Sequence, residues 1–233
     1  LGCRVFFMNK IEKLIAEKGC LIADGATGTN LFSMGLDSGH PPELWNIEFP
    51  ERIYLNHQNF VDAGSDLILT NTFGANRFRL ALHKAENQVH ELNLAGASIA
   101  RKVADLSERT VLVAGSIGPT GEIFEPLGTL SKAEAESAFT DQAIALKEAG
   151  VDLAWIETMS SQEEIESAIV ASKNVGLPIV CTYSFDTHGK SMMGLEPKEL
   201  VKLAEEHSPE IMGYGANCGI GAAELIGSIL CLV

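Results

Sequence analysis

The 233-residue chain is predicted to be an α/β protein, a (β/α)8 TIM-type barrel truncated to about six βα units. Three observations predict this. Short apolar runs alternate with amphipathic stretches of helical period. The apolar runs are continuous rather than alternating, as in parallel strands covered on both faces. No G-x-G-x-x-G or G-x-x-x-x-G-K-[ST] fingerprint follows any run, which favours a barrel over a doubly wound nucleotide-binding sheet.

The strand candidates are 21–24, 66–73, 111–117, 152–158, 178–185 and 211–218. Helix starts are marked by Ser131 with Glu134 and by Ser161 with Glu164, the spacing at which a hydroxyl and a carboxylate satisfy each other's first-turn amides. Helix ends are marked by Gly64, Gly150 and Gly176, suited to a left-handed cap. An internal echo sets the register. Asp62-Ala63-Gly64-Ser65-Asp66-Leu67 matches Glu148-Ala149-Gly150-Val151-Asp152-Leu153, and the same offset pairs Asn71-Thr72 with Glu157-Thr158. The alternative is that Ala-Gly-x-Asp is simply a common helix-to-strand turn.

Composition narrows the class. Lys plus Arg is 17 against 31 Asp plus Glu, a net charge of −14, which argues against nucleic acid or an anionic membrane as partner. No apolar stretch reaches the ~20 residues that span a bilayer. The cysteines are Cys3, Cys20, Cys181, Cys218 and Cys231. This odd, scattered set, with no C-x-x-C pair, reads as a reduced, cytoplasmic protein rather than a disulfide framework. Met8 is the better natural start, so 1–8 reads as a non-native or disordered extension and 9–233 as the barrel domain.

In a parallel barrel the chemistry gathers at the C-terminal strand ends. Here those ends are polar although the strands are not, which suggests a small, charged substrate. Asp24 and Glu157 could bracket an ammonium group, because a partly buried cation is stable only when paired. The bland alternatives are a helix N-cap for Asp24 and a surface salt bridge for Glu157. Gly25 and Gly28, with the small residues between them, let backbone amides approach a carboxylate closely, or else serve a tight turn. Asn71, Ser116 and Asn217 could line the pocket or tie loops together. Cys218 is a lone thiol, a metal ligand or a small core residue. Cys181, inside a strand without polar company, reads as core. The six histidines form no ligand-like cluster, and the loop 185–190 reads as a polar pocket rim.

Taken in order, five segments resemble the homocysteine S-methyltransferase family. They are Asp24-Gly25-Ala26-Thr27-Gly28-Thr29, Thr70-Asn71-Thr72-Phe73-Gly74-Ala75-Asn76, Gly115-Ser116-Ile117-Gly118-Pro119, Ile156-Glu157-Thr158 and Gly215-Ala216-Asn217-Cys218-Gly219. The resemblance covers about residues 9–227. It implies a barrel that transfers a methyl group to the homocysteine thiol, giving methionine, with one zinc ion held by three cysteine thiolates. Cys218 would be the first ligand and the catalytic cysteine. The resemblance also implies that Asp24 and Glu157 hold the substrate amino group, with amides of Gly25, Ala26 and Thr27 near its carboxylate. Zinc would keep the substrate sulfur ionised near neutral pH, where a thiol of pKa about 8.5 is only a few per cent thiolate. Family members draw on methylcobalamin, betaine or S-methylmethionine, so a corrinoid-binding module or protein is an expected partner beside homocysteine and a small methyl donor.

The sequence departs from the family pattern in lacking a Gly-Gly-Cys-Cys motif and strands seven and eight. The chain therefore reads as a fragment, expected to bind zinc poorly and to lack activity alone. The other readings are a non-catalytic half-barrel completed by a second chain, and an unrelated barrel lyase or isomerase using Glu157 as base.

Overall fold

Helices that end in glycine and strands that begin with aspartate set the rhythm of this chain. The computed structural model describes residues 9–186 and 188–232; the expected extension over 1–8 lies outside them. In chain order the elements are α1 (Lys10–Lys18), α2 (Thr27–Ser33), α3 (Trp45–Glu48), α4 (Pro50–Ala63), β1 (Leu67–Leu69), α5 (Arg77–Ala81), α6 (Val89–Leu106) and β2 (Leu112–Ile117). There follow α7 (Lys132–Glu148), β3 (Leu153–Met159), α8 (Gln162–Val175), β4 (Ile179–Tyr183), α9 (Pro197–Glu206), β5 (Ile211–Ala216) and α10 (Ala222–Leu230). No helix is long and apolar enough to cross a membrane among the described residues.

The strands form one parallel sheet in sequence order, β1 to β5. The run 21–24, expected as a strand, contributes a single bridge from Ala23 to Leu67. The ladder goes no further because the Leu69 amide, which the next rung would need, donates to the Asp24 carboxylate at 2.9 Å. β1 is also shorter than expected, because Thr72 N turns back onto Thr70 O at 2.9 Å. Among the described residues β5 pairs only with β4, so the sheet has five strands and one bridge and shows no closing pair.

Alternation along the strands separates two cores. Ile68, Val113, Ile117, Ala154, Ile156, Ile179 and Cys181 face the surrounding helices. Leu67, Leu112, Ala114 and Leu153 face inward, with Leu69, Trp155, Val180 and Met212, against Ile11 and Leu14 of α1. α1 thus plugs the N-terminal end of the sheet. Its two end lysines fasten it, Lys10 to Asp152 at 3.1 Å and Lys18 to Asp66 at 2.5 Å.

These two aspartates explain the internal echo. Asp66 accepts the Ile22 amide at 3.1 Å and pairs with Arg109. Asp152 accepts the Val113 amide at 2.8 Å and pairs with Arg101. Each aspartate ties the start of its own strand to a neighbouring segment, and each takes one lysine of α1. The glycines before them sit at φ 110° (Gly64) and φ 83° (Gly150), where a side chain is strained.

The capping signals resolve differently. Ser131 and Glu134 form the reciprocal box. Ser161 caps Glu164 N, but the Glu164 carboxylate turns away to accept Thr120 N at 2.8 Å and Thr120 Oγ1 at 2.6 Å. A buried carboxylate takes two donors from the loop after β2 in preference to one exposed amide of its own helix. Gly176 caps α8 in the left-handed conformation as expected.

His57, on α4, is fully buried and neither ring nitrogen has a hydrogen-bond partner. Burial pushes it down to about 4, so the folded protein holds it neutral. The unfolded chain protonates it near pH 6.5. Stability from this group is therefore complete above pH 6.5 and is lost as pH falls toward 4. Comparing urea unfolding of wild type and His57→Leu at pH 7.5 and pH 5 should show about 2 kcal/mol less acid loss in the variant. Equal slopes would show that the ring is not held neutral.

Candidate functional site

The C-terminal ends of β1, β2, β3 and β5 line a cavity of about 850 Å³. Its wall contains every residue expected from the sequence to bind substrate or metal: Asp24, Gly25, Ala26, Thr27, Asn71, Ser116, Glu157, Asn217 and Cys218. Trp155 belongs both to the wall and to the inward-facing core, and so forms the floor.

The two carboxylates are set by local backbone. Asp24 accepts the Leu69 amide at 2.9 Å, which pins the loop after the first segment to β1. It is not a helix cap: Ala26 is the N-cap of α2, and no side chain caps it. Glu157 accepts the Ser116 hydroxyl at 2.5 Å across β2 and β3. Its direction comes from a bulge. Ile156 pairs with Cys181 and Met159 with Tyr183, so Glu157 and Thr158 together oppose the single residue Thr182. The extra residue keeps both Ile156 and Met159 in the outer core and frees Glu157 for the cavity.

Neither Asp24 nor Glu157 has a cation within ion-pair distance among the described residues. Burial pushes Asp24 up to about 7, the Leu69 amide opposes this, and the nearby charge of Glu157 adds to it. Burial raises Glu157 as well, partly offset by the Ser116 hydroxyl. Two like charges held apart from water raise each other's proton affinity and favour a cation between them.

The remaining predicted residues divide by role. Asn71 gives both amide hydrogens to the protein, to Pro42 O at 2.8 Å and Asn46 Oδ1 at 2.9 Å, which leaves Oδ1 as the atom it can offer the cavity. Gly25 and Gly28 are not at positive φ, which removes the tight-turn reading. A Cβ at Gly25 would meet the Phe60 ring at 3.4 Å, while Gly28 faces open space. Asn217 engages Thr158 and Cys218, and Cys218 is exposed at the cavity edge with φ 57°. The described residues of the loop 185–190 do not line the cavity.

Sequence reasoning missed Glu43 and Thr158. Glu43 is buried on the wall and accepts Gly74 N at 2.6 Å; burial raises its proton affinity, against the backbone amides and the charges of Arg79 and His83. It lies in a Pro-Pro-Glu-Leu turn with no periodic signal. Thr158 is β-branched at φ 61°, a conformation that no residue pattern announces.

Among the described residues the thiols do not assemble a three-thiolate zinc centre. Cys218 is the cysteine on the wall, whereas Cys181 lies in the outer core, where burial pushes its thiol up to about 12. Among the described residues no group of three or more His, Cys, Asp or Glu side chains could hold a metal ion.

A family model described as homocysteine S-methyltransferase matches residues 21–231. The chain belongs to the homocysteine S-methyltransferase family. It is 28% identical over 228 residues to a methionine synthase of Mycobacterium tuberculosis (strain ATCC 25618 / H37Rv), covering 91% of this chain and 19% of that protein. A methionine synthase of Mycobacterium leprae is 27% identical over 222 residues, covering 88% of this chain and 18% of that protein. The chain thus spans about a fifth of the length of these relatives. Among solved structures, the metallated form of the homocysteine methyltransferase MmuM from Escherichia coli matches with a TM-score of 0.80 at 25% identity, over 94% of this chain and 81% of that one. Its oxidised form matches with a TM-score of 0.75 at 27% identity, over 91% and 77%.

The wall near Asn71 rests on a glycine of α6. A Cβ at Gly96 would lie 2.5 Å from Asn46 Nδ2, the group that donates to Asn71 O and Leu92 O. Gly96→Ala should cost about 2–4 kcal/mol in chemical denaturation, because it both overpacks the site and strands buried amides. A change below about 0.5 kcal/mol would show that this network does not hold the wall.

Proposed function

We propose that this chain binds L-homocysteine in the 850 Å³ cavity and presents its thiol as the methyl acceptor of a reaction that yields methionine. The observation that supports this most is the pair of carboxylates, Asp24 and Glu157, which share one cavity without a cationic partner among the described residues. The substrate ammonium supplies that partner, donating charge-assisted hydrogen bonds to both carboxylates. The amides of Gly25, Ala26 and Thr27, at the uncapped start of α2, face the substrate carboxylate. Ser116 holds Glu157 in place from the adjacent strand.

With amine and carboxylate fixed at the first segment and β3, the thiol extends toward Asn217 and Cys218 at the end of β5. The methyl donor enters through the open mouth of the cavity. In a three-thiolate centre zinc supplies an ionised acceptor sulfur. Cys218 would be one ligand of such a centre, and the described residues place no second thiolate on the wall. The work assigned to this chain is therefore binding and orientation: holding the ammonium, seating the carboxylate and aiming the sulfur at the β5 end.

Calorimetric titration with L-homocysteine should show saturable binding that Asp24→Asn and Glu157→Gln each weaken by about tenfold or more. Wild-type affinity should rise as pH increases from 6 to 8, because Asp24 ionises around 7 and only its charged form pairs with the ammonium. Asp24→Asn should flatten that rise. Absence of homocysteine binding, or an unchanged pH profile in Asp24→Asn, would refute the assignment.

A further inference from the structure

β1 leaves the sheet before β2 ends. Its last regular rung runs from Thr70 N to Ala114 O at 2.9 Å. At parallel spacing the next would run from Ser116 N to Thr70 O and from Thr72 N to Ser116 O. Those two β1 groups bond to each other instead, Thr72 N to Thr70 O at 2.9 Å, in a three-residue turn with Asn71 at its centre.

Two side chains make the missing rung. Ser116 N donates to Thr70 Oγ1 at 3.0 Å, and Ser116 O accepts from Thr72 Oγ1 at 2.8 Å. The two hydroxyls lie 2.6 Å apart. Each carries one hydrogen, and Thr72 gives its own to Ser116 O, so Thr70 is the donor between them. The bonds therefore run in one direction, from Ser116 N through Thr70 and Thr72 back to Ser116 O. Gln142 Nε2 of α7 adds bonds to Thr72 O at 2.7 Å and Ser116 O at 3.4 Å. Thr70, Thr72 and Ser116 are all buried, where a group left unpaired costs more than one hydrogen bond gains. Neither hydroxyl has a hydrogen left to give a ligand.

What this circuit holds is the residue that holds Glu157. The Ser116 hydroxyl donates to the Glu157 carboxylate at 2.5 Å, while both backbone groups of Ser116 are gripped by the threonines. The turn lets β1 depart, with Asn71 reaching back to Pro42 O and Asn46 Oδ1, without loosening the end of β2.

We propose that Thr70 and Thr72 are positioning residues for Glu157: their hydroxyls fix the backbone of Ser116 so that its side chain stays on the carboxylate. This rests on the reading of Glu157 as a partner of the substrate ammonium. It adds two residues that act on that contact through Ser116 without touching the ammonium themselves.

The test is a double-mutant cycle on the whole chain, with L-homocysteine affinity read by calorimetry and melting temperature read on the same samples. Thr70→Val and Thr72→Val keep the side-chain shape and remove the hydroxyl; each should weaken binding about three- to tenfold. Thr70→Ser and Thr72→Ser, which restore the hydroxyl, should bind within about twofold of wild type. In a Ser116→Ala background the valine changes should alter affinity by less than about twofold, because the hydroxyl through which they act is gone. They should still lower the melting temperature there, because the backbone of residue 116 still needs its partners. Thr70→Val leaves Ser116 O its bonds from Thr72 and Gln142, and it decides the outcome if Thr72→Val does not fold. Wild-type affinity in the valine variants, or the same loss with and without the Ser116 hydroxyl, overturns the positioning role while homocysteine binding stands. So does a loss in the serine variants equal to that in the valine variants. A wild type that does not bind homocysteine overturns the positioning role and the binding reading together.

Discussion

The architecture of this site depends on two half-buried carboxylates that share a cavity and, among the described residues, have no cation to neutralise them. Asp24 is held by the Leu69 amide and Glu157 by the Ser116 hydroxyl, so neither is free to swing into solvent. Burial raises both, and the charge of Glu157 adds to the effect on Asp24. A fold does not keep such an arrangement for stability, since moving either carboxylate to the surface would relieve it. We propose that the arrangement is kept for a guest, a cation small enough to fit between strand ends.

The rest of the molecule separates holding the fold from holding the guest. At the N-terminal end of the sheet the same residue type is fully paired: Asp66 and Asp152 each receive a strand amide, an arginine and a lysine of α1. Leu67, Leu112 and Leu153, each the first residue of its strand, bury the inner face beside α1. At the opposite end the carboxylates are left wanting a partner. The internal echo that places Asp66 against Asp152 also places Asn71 against Glu157, both on the cavity wall. A single repeated strand–helix unit thus carries a structural aspartate at its base and a polar cavity residue at its top.

Much of this was legible in the sequence because parallel strands covered on both faces leave continuous apolar runs, and their polar ends stand out against them. Those ends converge on one cavity, and the family likeness ordered them correctly. What escaped detection depends on backbone geometry rather than residue pattern. The run 21–24 looked like a strand but carries only the Ala23 bridge, because the Asp24 carboxylate takes the Leu69 amide that would extend the ladder. The spacing of Ser161 and Glu164 promised a capping box, yet tertiary packing drew Glu164 to Thr120. The β3 bulge, the left-handed Thr158 and the burial of Glu43 leave no periodic trace, because each is decided by a neighbouring strand or loop distant in sequence.

The central claim is that the cavity recognises an ammonium group between Asp24 and Glu157. It is tested most directly by titrating the chain with 4-mercaptobutyrate, which keeps the carboxylate and thiol of homocysteine and lacks its amine. The account predicts binding at least about 100-fold weaker than that of L-homocysteine, as expected for losing two charge-assisted contacts and leaving two carboxylates unpaired. Equal affinity for the two compounds would contradict it.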